Sequence, residues 1–164
     1  MKQTEVIELR LKGKSYQELE VEMSVLSTDA LLALLGSKSR KIGDTASSLL
    51  NRKNERDTLA EAILKGTYKR RDAKVRAANT LWFGKANSEL ADDALLYLVQ
   101  DKSEEIAGNA LFALVALRRV RVVEKLGQIK QTARVSPEVK EKIDLAVEAI
   151  QKQDPRIYNP YYGG

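Results

Sequence analysis

The residues that most often carry catalysis are missing from this sequence, which contains neither histidine nor cysteine. It therefore lacks an imidazole base, a thiol nucleophile and the commonest metal ligands. Catalysis would have to rest on carboxylates, lysine or tyrosine. The adjacent carboxylates Asp92-Asp93 and Glu104-Glu105 would point to different faces of a helix. With no Gly-rich phosphate loop either, we expect neither enzymatic activity nor a metal or cofactor.

Binding chemistry is indicated instead by an uneven distribution of charge. Residues 38–76 contain 12 Lys or Arg and 5 Asp or Glu, a net charge of +7, whereas the whole chain carries +5. A basic segment of this kind attracts acidic partners. We predict that a partner contacts this segment, and the candidate residues are Arg40, Lys41, Lys69, Arg70, Arg71, Lys74 and Arg76.

The elements that would position these residues repeat along the chain. Ile42, Val75, Ile106 and Val139 are separated by 33, 31 and 33 residues. Apolar or small residues recur mostly at offsets +4, +7 and +8 from each, which is one face of an α-helix. The four sets are Ala46, Asn79, Ala110 and Ile143; Leu49, Trp82, Ala113 and Ala146; and Leu50, Phe83, Leu114 and Val147. This register predicts Trp82 in the core and Asn79 buried, where its amide would hold the loop at residues 65–74.

A second apolar helix precedes each of these four, so the chain is predicted to form helical hairpins. Capping residues mark where the helices begin. The candidate N-caps are Ser27, Asn54, Asp72, Asn87, Ser103 and Ser136. A single hairpin cannot bury both faces, whereas stacked hairpins can, so the repeat predicts an α-solenoid.

The second helices resemble the HEAT-repeat family, whose motif is Val-Arg-x-x-Ala-x-x-Ala-Leu-Gly. The copies here are VRAANTLWFG from Val75, IGDTASSLLN from Ile42 and IAGNALFALV from Ile106. The resemblance covers residues 27–153 and implies an all-α fold, a short right-handed α-solenoid of about four hairpins plus an N-terminal helical cap. Some HEAT-like proteins are DNA glycosylases, while others are adaptors or immunity proteins, so the motif predicts architecture rather than function.

The two ends lie outside the repeat. Residues 1–26 contain a capping box at Ser15 and Glu18. They are predicted to form a helical cap, and a helix-turn-helix is the alternative. Residues 154–164 form a tail with three of the six tyrosines, which either frays or docks its aromatic side chains on the last repeat or on a partner.

We expect a non-catalytic, protein-binding scaffold in the bacterial cytoplasm, an adaptor or an immunity protein that neutralises a toxin. No apolar run is long enough to cross a bilayer and the charged start is unlike a secretory signal. The alternative is a nucleic-acid-binding module, glycosylase-like or assisted by a helix-turn-helix, that uses residues 38–76. Basic residues on two rims could straddle a backbone, although no ladder of aromatic residues is visible.

Overall fold

The computed structural model describes residues 2–163, and all regular secondary structure in that part of the chain is helical. It contains ten α-helices and two short 3-10 helices, Val120–Val122 and Pro155–Ile157. The α-helices are α1 Gln3–Leu11, α2 Tyr16–Met23, α3 Thr28–Leu35, α4 Arg40–Arg52, α5 Arg56–Leu64, α6 Arg71–Phe83, α7 Glu89–Val99, α8 Glu104–Ala116, α9 Val123–Lys130 and α10 Pro137–Gln151. The all-α prediction is therefore confirmed.

Serine hydroxyls begin most of the helices. Six N-cap serines accept a hydrogen bond from the amide three residues later, namely Ser15, Ser27, Ser39, Ser88, Ser103 and Ser136. The predicted caps Ser27, Ser103 and Ser136 are confirmed, as is the capping box of Ser15 and Glu18. The other three are wrong: the caps are Glu55, Arg70 and Ser88, each within two residues of the predicted position.

The ends of the even-numbered helices reveal the repeat most clearly. Asn54, Lys85, Arg118 and Gln153 follow α4, α6, α8 and α10, and all have φ between 54° and 56°. After each, an amide bonds back to a carbonyl five residues earlier, for example from Glu55 to Leu50 at 3.0 Å. This bond with a left-handed residue is the Schellman motif. The same backbone device therefore closes four successive hairpins.

The helices pack in chain order. The even-numbered helices form one continuous layer in which α2 contacts α4, α4 contacts α6, α6 contacts α8, and α8 contacts α10. On the other side α1 packs on α3 and α5 on α7, and hairpin partners such as α3 and α4 pack on each other. The core between the layers is made mainly of leucine and alanine. None of the helices in residues 2–163 has the length and apolar character needed to cross a bilayer.

The predicted register of α6 is wrong by two residues. Its buried positions are Ala73, Ala77, Ala78, Thr80 and Leu81. The left-handed residues that end α4, α6 and α8 align the three helices. Counted back from these residues, Ala73 of α6 occupies the same position as Ile42 of α4 and Ile106 of α8. The shift follows from volume, because the equivalent positions in a close-packed interior hold residues much smaller than Trp82, such as Ala113.

This shift moves several predicted core residues of α6 toward the surface. Phe83 is 64% exposed, and Val75, Asn79 and Trp82 are half-buried. Asn79 accepts a hydrogen bond from the Trp82 indole at 3.2 Å and does not hold the loop. The hydroxyl of Tyr68 does so instead, by donating to the Leu32 carbonyl at 2.8 Å. In this register Thr80 is buried.

Both ends pack on the hairpins beside them. Leu11, Leu19 and Met23 of the N-terminal pair are buried, and the Ser37 hydroxyl bonds to Glu8. In the tail, Ile157 and Tyr158 pack against the core. The Tyr158 hydroxyl donates to the Gly108 carbonyl at 2.8 Å. The docked alternative for the tail is therefore confirmed at Tyr158.

Candidate functional site

A groove runs along the surface between α4 and α6. Its volume is about 1150 Å³, and its lining reaches from the start of both helices to the residues that follow them. Seven basic side chains line it, together with three acidic ones. They are Lys38, Arg40, Arg52, Arg56, Arg71, Arg76 and Lys85, with Asp44, Asp72 and Glu105.

Polar contacts between α4 and α6 fix the floor of the groove. Ser47 and Thr80 share a hydrogen bond of 2.6 Å, and the Asn51 amide donates to the Thr80 carbonyl at 3.1 Å. Gly84 allows the Asn51 side chain to lie this close, because a Cβ atom there would stand 2.2 Å from Asn51 Oδ1. The floor is therefore built by local contacts that leave the helix surfaces on either side of it open.

Arg76 lies in the groove wall, but its hydrogen bonds connect elements of the fold. Its Nη1 donates to the carbonyls of Leu35 and Ser37 at 2.7 and 3.2 Å, and its Nε lies 3.4 Å from Asp44. A Cβ atom on Gly43 would stand only 2.3 Å from the Arg76 guanidinium carbon, so a larger residue there would displace this guanidinium. The arginine of the HEAT-like motif thus ties α6 to the end of α3.

Most of the other predicted binding residues are paired within the chain. Arg70 makes a two-bond contact with Asp72 at 3.0 and 2.9 Å. Arg71 lies 3.1 Å from Glu105, and Lys74 lies 2.6 Å from Asp101. Burial disfavours the charge of Asp101, yet bonds from the Lys74 ammonium and the Ser103 amide hold its pKa below the usual value. The Arg71–Glu105 and Lys74–Asp101 pairs connect neighbouring hairpins, whereas the Arg70–Asp72 pair is local to the start of α6.

The remaining predicted residues lie at the edges of the molecule. Arg40 lies 3.5 Å from Asp44, and Lys41 extends over the ring of Tyr16 at 5.5 Å. Lys69 lies in the exposed loop before α6. The structure therefore brings Arg40, Arg71 and Arg76 into the groove and leaves Lys41, Lys69, Arg70 and Lys74 outside its lining. Whether any of them contacts a partner stays a prediction.

Three groove cations make no ion pair within the described chain. They are Lys38 at one end and Arg56 and Lys85 at the other. Arg56 donates from Nη1 to Asn54 at 3.0 Å, but its Nε is buried without a hydrogen-bond partner. A buried donor without an acceptor is costly. At the Arg56–Lys85 end of the groove, positive charge is therefore not neutralised by carboxylates of residues 2–163.

An array of aromatic side chains extends from the same end of the groove. The rings of Phe83 and Trp82 stack with centroids 4.2 Å apart, and Trp82 meets Phe112 edge to face at 5.4 Å. Phe112 in turn contacts the tail, with Tyr158 at 6.4 Å and Tyr162 at 5.8 Å. The sequence alone does not predict this array, because Phe112 and the tail tyrosines are far from Trp82 along the chain. The one indication in the sequence is the 30-residue interval from Trp82 to Phe112, which is close to the repeat length.

The tail forms one wall of a second concavity beside the array. This space, of about 640 Å³, lies between the ends of α6 and α8, and its lining includes Trp82, Phe83, Lys85, Arg119 and Tyr162. Burial raises the pKa of the Tyr158 hydroxyl that anchors the tail, and burial likewise raises the pKa of Tyr68.

The arrangement offers charge, an exposed aromatic surface and hydrogen-bonding groups. The three groove carboxylates each lie close to an arginine of the groove or its edge. Within residues 2–163, no three acidic side chains come close enough together to hold a metal ion. Comparisons with protein-family models, curated proteins and solved structures find no match to this chain. The interpretation of the groove therefore rests on its own chemistry.

Proposed function

We propose that this chain is a non-catalytic binding scaffold, a short HEAT-like α-solenoid that holds a protein partner in the groove between α4 and α6. The observation that carries the proposal is the Arg56–Lys85 end of the groove, where cations without ion pairs adjoin the exposed ring of Phe83. Binding sites combine an apolar anchor with a few polar groups that orient the ligand. The repeated helix ends and the stacking of the even-numbered helices support the solenoid interpretation.

The proposed domain organisation follows from this scaffold. Residues 27–153 form the repeats, and residues 1–26 act as a cap because α1 packs on α3 and α2 on α4. A cap of this kind favours the scaffold over a helix-turn-helix. The scaffold would act in the cytoplasm, as an adaptor or as an immunity protein that masks an acidic surface of a toxin.

Nucleic acid is the second candidate, and the aromatic array is the observation that favours it. Single-stranded nucleic acids stack their bases on exposed aromatic rings and bind basic grooves. Only Phe83 of the array is highly exposed, however, and the basic edge is largely neutralised by ion pairs. The protein partner therefore explains the groove better.

Site-specific photo-cross-linking in the source organism tests the proposal. A benzophenone amino acid is placed at Ser48, which is exposed in the groove, and for comparison at Glu61, which is exposed on α5 outside it. The proposal expects a protein adduct at Ser48 that is absent at Glu61. Adducts with nucleic acid alone would establish the second candidate, and equal adducts at both positions would overturn the assignment of the groove.

A further inference from the structure

The unpaired cations lie at opposite ends of the groove. Lys38 precedes α4, whereas Arg56 and Lys85 lie beyond the ends of α4 and α6. A helix of the length of α4 spans roughly 20 Å at 1.5 Å per residue. An extended peptide covers that distance with about six residues. The groove thus offers positive charge at both ends of a short extended segment.

An apolar anchor lies beside one of these charged ends. Phe83 projects from the last turn of α6, and its ring is supported from behind by stacking on Trp82. A supported ring exposed in a concave surface offers apolar area at little entropic cost. Lys85, two residues further on, places an ammonium group close in sequence to this ring.

Hydrogen-bonding side chains occupy the middle of the groove. The Ser48 hydroxyl is exposed there, and Asn79 uses its oxygen to accept from Trp82 while its amide nitrogen makes no bond within residues 2–163. An extended peptide presents carbonyl oxygens and amide groups at regular intervals. The centre of the groove therefore provides donors for a peptide backbone.

From these features we propose that the groove binds an acidic, extended peptide segment of about six residues that carries one aromatic or branched apolar side chain. That side chain packs on Phe83, an adjacent carboxylate bonds to Arg56 and Lys85, and a carboxylate at the far end meets Lys38. The proposal rests on the proposed function and names the chemistry of the partner.

The acidic side chains of the groove favour a peptide over a nucleic acid. Asp44 lies in the first half of α4, and Asp72 and Glu105 lie in the first turns of α6 and α8. A nucleic acid carries a negative charge at every nucleotide and would approach these carboxylates. In a peptide, acidic residues can lie opposite the cations while uncharged residues lie opposite the carboxylates. A peptide can therefore match a groove lined by both basic and acidic side chains.

Selection from a library of random dodecapeptides displayed on phage tests the proposal with the full-length chain. Selected peptides should have Asp or Glu on either side of an aromatic or branched apolar residue. Binding of the most enriched peptide, measured by fluorescence anisotropy, should weaken at least tenfold in Phe83→Ala and in Lys85→Glu. Arg134→Glu makes the same change of charge on the loop before α10, outside the groove lining, and should leave binding unchanged.

The other outcomes overturn the proposal. They are failure to enrich any peptide, enrichment of basic or uncharged sequences, and equal binding by wild type and Phe83→Ala. Tighter binding of a twelve-nucleotide oligothymidine that depends on Phe83 would assign the groove to nucleic acid. A protein adduct at Ser48 together with a failed selection would leave the scaffold standing and reject only the acidic peptide.

Discussion

Arg76 illustrates, at the scale of single residues, how a predicted binding residue can instead hold the fold together. Its guanidinium satisfies two carbonyls at the end of α3 and pairs with Asp44, while its side chain is only 12% exposed. Arg40 pairs with the same carboxylate, but its side chain is 89% exposed. Although both arginines pair with Asp44, we expect them to contribute differently to the free energy of unfolding, because a buried charged contact stabilises a protein more than an exposed one.

We predict that Arg76→Ala lowers the free energy of unfolding by about 1–3 kcal/mol, because it leaves the Leu35 and Ser37 carbonyls without their donor. Arg40→Ala should change it by less than about 0.5 kcal/mol, since exposed ion pairs contribute little. Urea denaturation followed by circular dichroism measures both variants. Equal effects would show that the carbonyl contacts of Arg76 are not stabilising.

Tyr68 provides a second prediction, which depends on pH. Its hydroxyl is buried and bonds to Leu32, so Tyr68→Phe should lower the free energy of unfolding by about 1 kcal/mol. Tyr97→Phe, at an exposed tyrosine, is the matched control and should be neutral.

Burial raises the pKa of Tyr68, so the folded state retains this proton at a pH where the unfolded chain releases it. The buried Tyr68 hydroxyl therefore contributes fully to stability below the ordinary tyrosine pKa of about 10, and this contribution is lost as the pH rises above that value. Stability should therefore fall less steeply above about pH 10 in Tyr68→Phe than in wild type. Parallel pH profiles would contradict this role.

At the scale of the helix, the new register of α6 makes a prediction opposite to the one from the sequence. Leu81 is fully buried and Phe83 is largely exposed. Leu81→Ala should therefore cost roughly 2–5 kcal/mol by leaving a cavity. Phe83→Ala should cost about 1 kcal/mol or less, because it removes only partly buried contacts. The register inferred from the sequence would give the larger loss at Phe83, and denaturant titration of both variants distinguishes the two.

The helix ends offer a further prediction, since Arg118 has a φ of 54° after α8. A side chain in this left-handed conformation costs about 1 kcal/mol that glycine avoids. Arg118→Gly should therefore raise the free energy of unfolding by about 0.5–1 kcal/mol. Lys102→Gly, at an exposed residue without a positive φ, is the control and should not stabilise the protein. A stabilisation common to both would reflect the lost charge rather than the backbone.

These elements also show what a sequence of this kind can predict. Ser103 and Ser136 were found because a serine before an apolar helix is a specific signal. Asn54 carries the same signal but adopts the left-handed conformation after α4, and side-chain chemistry alone does not distinguish the two uses. Periodicity places VRAANTLWFG on a helix, but the interior volume that excludes Trp82 depends on the neighbouring helices. The exposure of Phe83, and therefore the candidate site, could be recognised only from the packing of the helices in the structure.

At the scale of the whole molecule, each hairpin is joined to the next by side chains about one repeat apart. The contacts include Lys74–Asp101 at 2.6 Å on one edge and Arg121–Asp92 at 3.0 Å on the other. Asp92 is only 2% exposed, and it also pairs with Arg119, which follows α8 of the same hairpin, at 2.7 Å. Hairpins connected in this way bury their apolar faces against their neighbours. Removing residues from either end of the stack therefore tests how far the stability of one hairpin depends on the next.

Deleting residues 1–26 should expose the first complete hairpin, because Leu11, Leu19 and Met23 are buried in the same core as Leu31 and Leu35. The deletion also removes the Glu20–Arg52 ion pair and the bond from Lys53 to the Leu26 carbonyl. We predict aggregation and a lower melting temperature, measured by light scattering after gel filtration and by thermal circular dichroism. Deleting residues 159–164 is the control at the other end and should leave the chain monomeric, because the tail anchor Tyr158 remains. If the chain lacking residues 1–26 stayed monomeric and equally stable, those residues would be an independent module, and the helix-turn-helix alternative would gain support.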